Sequence, residues 1–338
     1  MGKYSNIAVI YGSDSSEWEV SCRSGEFTAS RLDNDQYAIY EIFARFGKWN
    51  LVAYRTRNSM RVILPEGSRP EVDKTDFSVN LMGEKVKFDY AYIMQHGAPG
   101  ENGLLQGYLE MLGIPFSSCS AFVSNIAFDK YSCKRYINGL ESVKLAPDAF
   151  IRMGEDVKAF CEKVAGTLEF PVFVKPTSGG SSFGITRVKT PSELESAINF
   201  AFSEGGTVVV EQGISGRELT CAGYFDGENI CTLPLIEIVT ENEYFDYDAK
   251  YNGHSREICP APVDDTVCSA VSEATKEIYR RLGCKGIVRM DYILSDDGLY
   301  FLEVNTIPGM TGASLVPKMV KAAGKDITAF LSTIIENS

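Results

Sequence analysis

Two apolar runs, Ile287-Val-Arg-Met-Asp-Tyr-Ile-Leu294 and Leu299-Tyr-Phe-Leu-Glu-Val-Asn305, stand on either side of Ser295-Asp-Asp-Gly298. β-Branched and aromatic residues closed by a short Asp/Gly turn read as an antiparallel hairpin. Side chains alternate faces along a strand, so Arg289 shares a side with Asp291, and Glu303 with Asn305. Register decides whether these two pairs meet. A two-residue Asp297-Gly298 turn sets Asp291 opposite Val304 and separates the carboxylates. A three-residue Asp296-Asp297-Gly298 loop with a left-handed glycine sets Asp291 opposite Glu303 and Arg289 opposite Asn305, and the residue types favour it. Two carboxylates and an amide oxygen on one face suit Mg²⁺, a hard cation that keeps waters or phosphates in its remaining positions. The plainer reading is the solvated outer face of a hairpin. Against it, Leu302 and Val304 on one side, with Ile293 and Phe301 nearby, point to a strand covered on both faces, where carboxylates need a cation.

The 338-residue chain has room for two or three domains. Asn6–Tyr11 is an apolar run ending at Gly12-Ser-Asp-Ser-Ser16, and a helical stretch, Glu17–Leu32, follows. Strand, glycine turn and helix in that order open a parallel α/β sheet. Tyr37–Phe43, Trp49–Tyr54 and Asp89–Gln95 read as further strands, Leu104–Leu112 as a helix, and Ile114–Phe116 as a short extended piece; residues 57–85 give no clear pattern. A second unit is expected from Ser120, with helices over Ala127–Asn138, Asp156–Ala165 and Ser192–Phe202. Its strands are expected at Phe170–Lys175, Ile185–Val188 and Thr207–Glu211. Beyond Gln212 come mixed strands and two late helices, Thr266–Leu282 and Val316–Ala323. The units are therefore 1–119, 120–211 and 212–338.

Composition excludes several classes. A net charge of −12 argues against nucleic acid and anionic membranes as partners. No run of eighteen apolar residues is present, so no membrane segment is expected. Met1-Gly-Lys-Tyr4 leads straight into a strand, which is too short for a signal peptide, and Asn6 occupies the place where a myristoylation motif needs Ser or Thr. A cytoplasmic location is expected. The nine cysteines show no CxxC or Cys/His spacing and read as free thiols.

Lys175-Pro-Thr-Ser-Gly-Gly-Ser-Ser-Phe-Gly184 follows one strand and precedes another. Its glycines let backbone N–H groups converge on phosphate oxygens, and Ser181 and Ser182 add hydroxyl donors. It is not a P-loop, because no Gly-Lys-Ser/Thr closes it. A flexible hairpin loop is the alternative. Lys175, which must leave an apolar run to meet something anionic, favours phosphate. Taken alone, Lys130 in Asp129-Lys130 reads as a solvated helix residue.

At this point the chain resembles the D-alanine–D-alanine ligase branch of the ATP-grasp family, over about residues 6–335. The resemblance rests on an ordered set of segments. These are Gly12–Ser21, His96-Gly97 with Gly100–Gly103 and Gln106-Gly107, Asp129-Lys130, Phe170–Gly184, Asp246–Tyr251, Arg289–Asp291 and Leu302–Pro317. The implied fold is α/β in three domains, an N-terminal parallel α/β domain and two α+β domains that clamp ATP. The implied activity is ATP-dependent joining of two D-alanines through an acyl phosphate, for peptidoglycan precursor synthesis.

The resemblance also implies roles. Lys130, Lys175 and Ser182 hold phosphates, with Lys250 on a loop over the γ-phosphate. Glu211, Gln212 and Ile214 line the adenine site, and Glu218 binds the ribose. Asp291, Glu303 and Asn305 hold two Mg²⁺ ions, or Mn²⁺ in their place. Glu17 pairs with the first substrate's ammonium, in a network with Ser181 and Tyr251. Ser314 and Leu315 bind the second substrate's carboxylate, and His96 sits near the substrates. Arg289 and the Gly309 N–H stabilise the oxyanion. Tyr251, rather than phenylalanine, goes with a peptide product instead of a D-lactate ester, and a homodimer is implied. His254 matches nothing and reads as a surface residue. Two departures bear on substrate fit: Ser13 replaces a second glycine, and Ala98-Pro99 stands where a basic or polar residue is usual. Competing readings are a ligase using D-serine or another second substrate, a different ATP-grasp enzyme, and a non-catalytic nucleotide-binding protein. The last two are disfavoured by the complete set of site residues.

Overall fold

The computed structural model describes residues 3–180, 183–240 and 255–338. Strand β1 (Asn6–Gly12) is buried along almost its whole length, as a central strand covered on both faces must be. Helix α1 (Trp18–Arg31) crosses over to β2 (Ala38–Arg45), which lies parallel to β1. The sheet does not continue parallel. Phe46 and Gly47 adopt φ of 47° and 74°, a two-residue turn of the hairpin type. It reverses the chain into β3 (Lys48–Arg55), antiparallel to β2, and β4 (Val62–Ile63) extends that edge. The opaque stretch 57–85 supplies β4 and a separate antiparallel ribbon of β5 (Val72–Asp73), β6 (Ser78–Leu81) and β7 (Glu84–Lys87). Strand β8 (Tyr90–Ile93) returns beside β1 in parallel, so the strand order is β4-β3-β2-β1-β8.

Helix α2 (Leu104–Leu112) is followed by α3 (Ala121–Phe128) and α4 (Lys130–Ile137). These last two replace the single helix expected over Ala127–Asn138. Asp129 takes extended dihedrals and its carboxylate accepts from the Ser132 N–H at 2.7 Å, so it stops one helix and caps the next. That cap places Lys130 at a helix start. Strand β9 (Lys144–Leu145) leads to β10 (Asp148–Arg152), α5 (Val157–Thr167), β11 (Val172–Pro176), β12 (Thr186–Val188), α6 (Leu194–Phe202) and β13 (Thr207–Gln212). Strands β10-β13-β11-β12 form an antiparallel sheet.

The last sheet takes β14 (Arg217–Phe225), β15 (Ile230–Thr232), β16 (Ile236–Thr240), β17 (Ser255–Ile258), β18 (Ile287–Ser295) and β19 (Gly298–Asn305), with β9 added in parallel to β19. Helix α7 (Asp265–Leu282) covers it. Where two late helices were expected, three occur among the described residues: α7, α8 (Leu315–Ala322) and α9 (Ile327–Glu336).

Three cores result. The β10–β13 sheet with α5 and α6 has its own. Residues of α3, α4 and α7 pack on one side of the large sheet in a second. The third joins the N-terminal sheet to α8, α9, Ile307 and Met310. The N-terminal unit and the chain's end are thus one packed body, and the segment around Ile307–Met310 lies at their junction.

Candidate active site

A cleft of about 1040 Å³ is lined by residues of the β10–β13 sheet, of the large C-terminal sheet, and of α1 and the loop after β8 in the N-terminal unit. Its floor is the β18–β19 hairpin. Asp291 pairs with Glu303 and Arg289 with Asn305, as the site requires, but the turn does not set this register. Ser295 pairs with Gly298, so the loop is the two residues Asp296-Asp297, and the register then shifts between Asp291 and Tyr292. Leu302 is the extra residue of a β-bulge. The bulge has a consequence for the side chains. In a regular strand Phe301 and Glu303 would share a face. Here Phe301 pairs with Tyr292 and is buried in the core, while Glu303 pairs with Asp291 and faces the cleft. Leu302 lines the cleft and Val304 packs in the core, so these two do not form the common apolar side expected.

Asp291 is fully engaged. Arg289 Nε donates to its Oδ1 at 2.9 Å and Nη2 to Oδ2 at 2.8 Å. Thr220 Oγ1 donates to Oδ1 at 2.6 Å and Asn305 Nδ2 to Oδ2 at 3.3 Å. Burial alone would lower the Arg289 pKa, but Asp291 outweighs it and holds the guanidinium firmly charged. The cation that buried carboxylates need is therefore supplied here by the chain itself. Among the described residues no group of three or more His, Cys, Asp or Glu stands together as a metal cluster.

Across the cleft, Lys130 Nζ donates to the Gly179 carbonyl at 2.8 Å and lies 3.8 Å from Glu303 Oε2. It is not a solvated surface lysine. Lys175 leaves β11 as expected, and its Nζ meets Glu211 Oε2 at 2.6 Å. Burial works against the Lys175 charge, but Glu211 more than compensates and raises its pKa. Lys134 was not foreseen. It is 1% exposed and bridges Glu211 at 2.8 Å and Asp148 at 2.8 Å. Its i+4 spacing from Lys130 on a capped helix was the available signal. Gln212, Ile214 and Glu218 line the same end. The Gln212 side chain also accepts from the Glu169 N–H at 3.2 Å.

At the N-terminal end, Glu17 lies against two glycines. A Cβ on Gly180 would stand 2.4 Å from Glu17 Oε2, and one on Gly97 would stand 2.6 Å from Ser15. Ser13 keeps the glycine-like turn, with φ of 98° in full burial. Glu101, also not foreseen, lines the cleft and accepts from the Gly97 N–H at 2.6 Å. Burial and then the Glu17 charge push its carboxyl up to about 8. His96 is buried, with both ring nitrogens used: Nε2 lies 2.9 Å from Ser24 Oγ and Nδ1 lies 3.1 Å from the Ile307 carbonyl. Ser314 occupies the N-cap position of α8 without a side-chain bond to the helix, and its Oγ accepts from the Thr311 N–H at 2.9 Å. Leu315 and Gly309 line the cleft beside it. Ser181, Ser182, Lys250, Tyr251 and His254 lie outside the described residues.

A glycine-rich loop and a carboxylate hairpin, carried on two sheets that face one cleft, form the ATP-grasp arrangement. Residues 6–119 match the family described as D-ala D-ala ligase N-terminus, and residues 139–336 the one described as D-ala D-ala ligase C-terminus. A D-alanine–D-alanine ligase of Phocaeicola vulgatus is 42% identical over 332 residues, with 98% of each chain covered. The VanG D-Ala:D-Ser ligase from Enterococcus faecalis superposes with a TM-score of 0.86 at 30% identity, over 98% of this chain and 99% of that one. A Bacillus anthracis D-alanine–D-alanine ligase complexed with ATP superposes at 0.74 and 30% identity, over 98% and 97%. The chain belongs to the D-alanine–D-alanine ligase family, whose members are ATP-dependent ligases acting on small substrates.

Proposed function

We propose that this protein joins two D-alanines to D-alanyl-D-alanine at the expense of ATP, through an acyl phosphate, to supply peptidoglycan synthesis. The observation that carries the reading is a single cleft lined by two lysines, an arginine, the paired hairpin carboxylates, Glu17 and a helix start. On this reading Lys130 and Lys175 serve the phosphates, while Glu17 and the Ser314 helix start serve the amino acids. Arg289 and the Asp291–Glu303 pair line the same cleft.

Each role follows from chemistry at a stated atom. Lys175 and Lys130 carry ammonium groups that offset the charge of a transferring phosphoryl group. Glu211, Gln212 and Ile214 line the adenine end, with Glu218 for the ribose, Ser182 for a phosphate oxygen and Lys250 over the γ-phosphate. The first D-alanine's ammonium meets Glu17, with Ser181 and Tyr251 in the same network. Its carboxylate attacks the γ-phosphorus, the bond to the β,γ-bridging oxygen breaks, ADP leaves and the acyl phosphate forms. The second D-alanine's carboxylate meets the unpaired N–H groups at the start of α8, near Ser314 and Leu315. Its amine then attacks the carbonyl carbon of the acyl phosphate, Arg289 and the Gly309 N–H hydrogen-bond the oxyanion, and the intermediate collapses with loss of inorganic phosphate and the amine's proton.

The donor set of Asp291, Glu303 and Asn305 fits Mg²⁺, or Mn²⁺: hard oxygens on paired strands, facing the phosphate end. Bound there, the metal would neutralise phosphate charge, and Asp291 would have to exchange Arg289 for it. No helix among the described residues is long and apolar enough to cross a membrane. Cytoplasmic action as a homodimer completes the proposal, on family resemblance.

The test is ATP-dependent phosphate release with Mg²⁺, comparing D-alanine, L-alanine, D-alanine plus D-serine, and D-alanine plus D-lactate, with products identified by mass. Release with D-alanine alone, yielding the dipeptide, is expected. Release only with L-amino acids, or mixed D-alanine–D-serine product alone, would overturn the substrate assignment.

A further inference from the structure

Ser24 sits on α1, fully buried, and belongs to none of the segments that carry the family resemblance. Its Oγ accepts from the Met310 N–H at 3.3 Å and lies 2.9 Å from His96 Nε2. His96 Nδ1 lies 3.1 Å from the Ile307 carbonyl. A carbonyl can only accept, so Nδ1 carries the hydrogen, and Nε2 is left as an acceptor for the Ser24 hydroxyl. The chain of bonds is closed and directional: Met310 N–H to Ser24 Oγ, Ser24 O–H to His96 Nε2, His96 Nδ1–H to Ile307 O. It requires neutral imidazole, and burial acts in that direction. The His96 carbonyl is itself held by the Ser15 hydroxyl at 2.8 Å.

Residues 307 and 310 bracket Pro308-Gly309. The brace thus fixes both ends of the turn that carries Gly309, a residue that lines the cleft and whose N–H makes no hydrogen bond within the described residues. Ile307 and Met310 are buried in the core shared with the N-terminal unit, so the turn cannot follow the hairpin alone. An oxyanion donor acts only where its hydrogen stands within about 3 Å of the developing charge. A displacement of about 1 Å at such a site costs on the order of 100-fold in rate.

We propose that Ser24 and His96 are positioning residues: through Met310 and Ile307 they hold the Gly309 N–H where the tetrahedral intermediate forms, and His96 touches no substrate. This rests on the ligase reading above.

The experiment compares wild type, Ser24→Ala, His96→Asn and the double variant. Asparagine keeps a donor near the Nδ1 position and loses the partner of Ser24. For each, kcat, KM for ATP and D-alanine, and Ki for a dipeptide phosphinate with tetrahedral phosphorus at the reacting carbon are measured. Either single variant should lower kcat by roughly 10–100-fold and weaken the phosphinate by a similar factor. KM for ATP should stay within about threefold. The double variant should be no worse than the weaker single one, since both break one chain of bonds. Thermal unfolding monitors the fold, and if Ser24→Ala fails to fold, His96→Asn alone carries the comparison. Unchanged kcat, multiplicative losses in the double variant, or lower kcat with undiminished phosphinate affinity would each overturn the proposal. Absence of D-alanine ligation by the wild type would instead sink the ligase reading.

Discussion

At the proposed nucleotide end of the cleft Glu211 lies between two lysines, and at the proposed amino-acid end Glu101 lies beside another carboxylate. Burial alone would raise the Glu211 carboxyl, but Lys175 and Lys134 outweigh it and hold it at about 2. Glu101 has the Gly97 N–H for a partner, and burial followed by the Glu17 charge pushes it up to about 8. The same side chain is thus pushed in opposite directions within one cleft. On the ligase reading, the difference prepares each end for a different ligand. Glu211 shares two cations, so Lys175 can turn to a phosphate while Lys134 still satisfies the carboxylate. Between the two ends, Asp291 has Arg289 as its cation, so freeing that guanidinium requires another positive charge to arrive.

The sharpest way to break this contrast is at its centre. Asp291→Ala strands a buried guanidinium and should cost about 3–5 kcal/mol in urea unfolding. Dipeptide formation should fall by at least ~10³-fold; activity within tenfold of wild type would remove the hairpin from the reaction. Next comes the lysine asymmetry. Lys134→Met leaves Glu211 and Asp148 short of a buried cation, with an expected loss of about 3–5 kcal/mol. Lys175→Met leaves Lys134 in place and should cost only about 1–2 kcal/mol, while lowering kcat by roughly 100-fold. Equal stability losses in the two variants would mean that Glu211 is not shared in the way described.

The third effect is on pH. Below about pH 4.5 Glu101 is protonated in both folded and unfolded chains. Between there and about 8 the unfolded chain loses that proton first, so its contribution to stability falls as pH rises through this window. Glu101→Gln should flatten the decline, as read by unfolding at pH 5, 6.5 and 8. Glu211 has the opposite sign: its contribution is present above about 4.5 and is lost as pH falls toward 2. The smallest change concerns the two glycine turns. The loop at the phosphate end has glycines at its positive-φ positions, Gly179 and Gly184, whereas the turn at the other end strains Ser13. Ser13→Gly should stabilise by about 0.5–1 kcal/mol, and a lower melting temperature would show that the Ser13–Ser15 hydrogen bond outweighs the strain.

Much of the site could be read from the chain because its parts are local. Lys175 at a strand end, the glycines after it and the carboxylates on the hairpin each depend on a few neighbours. The stretch 57–85 was opaque because β4 is only two residues long and β5–β7 pair outside the main sheet, so little periodicity shows. The helix break at Asp129 was missed because a capping aspartate inside a helical pattern looks like an ordinary polar position.

The sequence by itself determined the order of elements, the alternation that puts Arg289 with Asp291 and Glu303 with Asn305, and the residue types proposed to bind phosphate, metal and amino acid. Tertiary structure decided the rest. It placed the bulge at Leu302, which sends Phe301 inward and Glu303 to the cleft, because the core on one face and the cleft on the other each needed their own residue. It also chose the partners: Lys134 with Glu211, Arg289 with Asp291, and Ser24 through His96 with the Ile307–Met310 turn. These bonds join positions tens to hundreds of residues apart or depend on what buries them, and a buried charge or hydroxyl takes whichever partner the packing brings within reach.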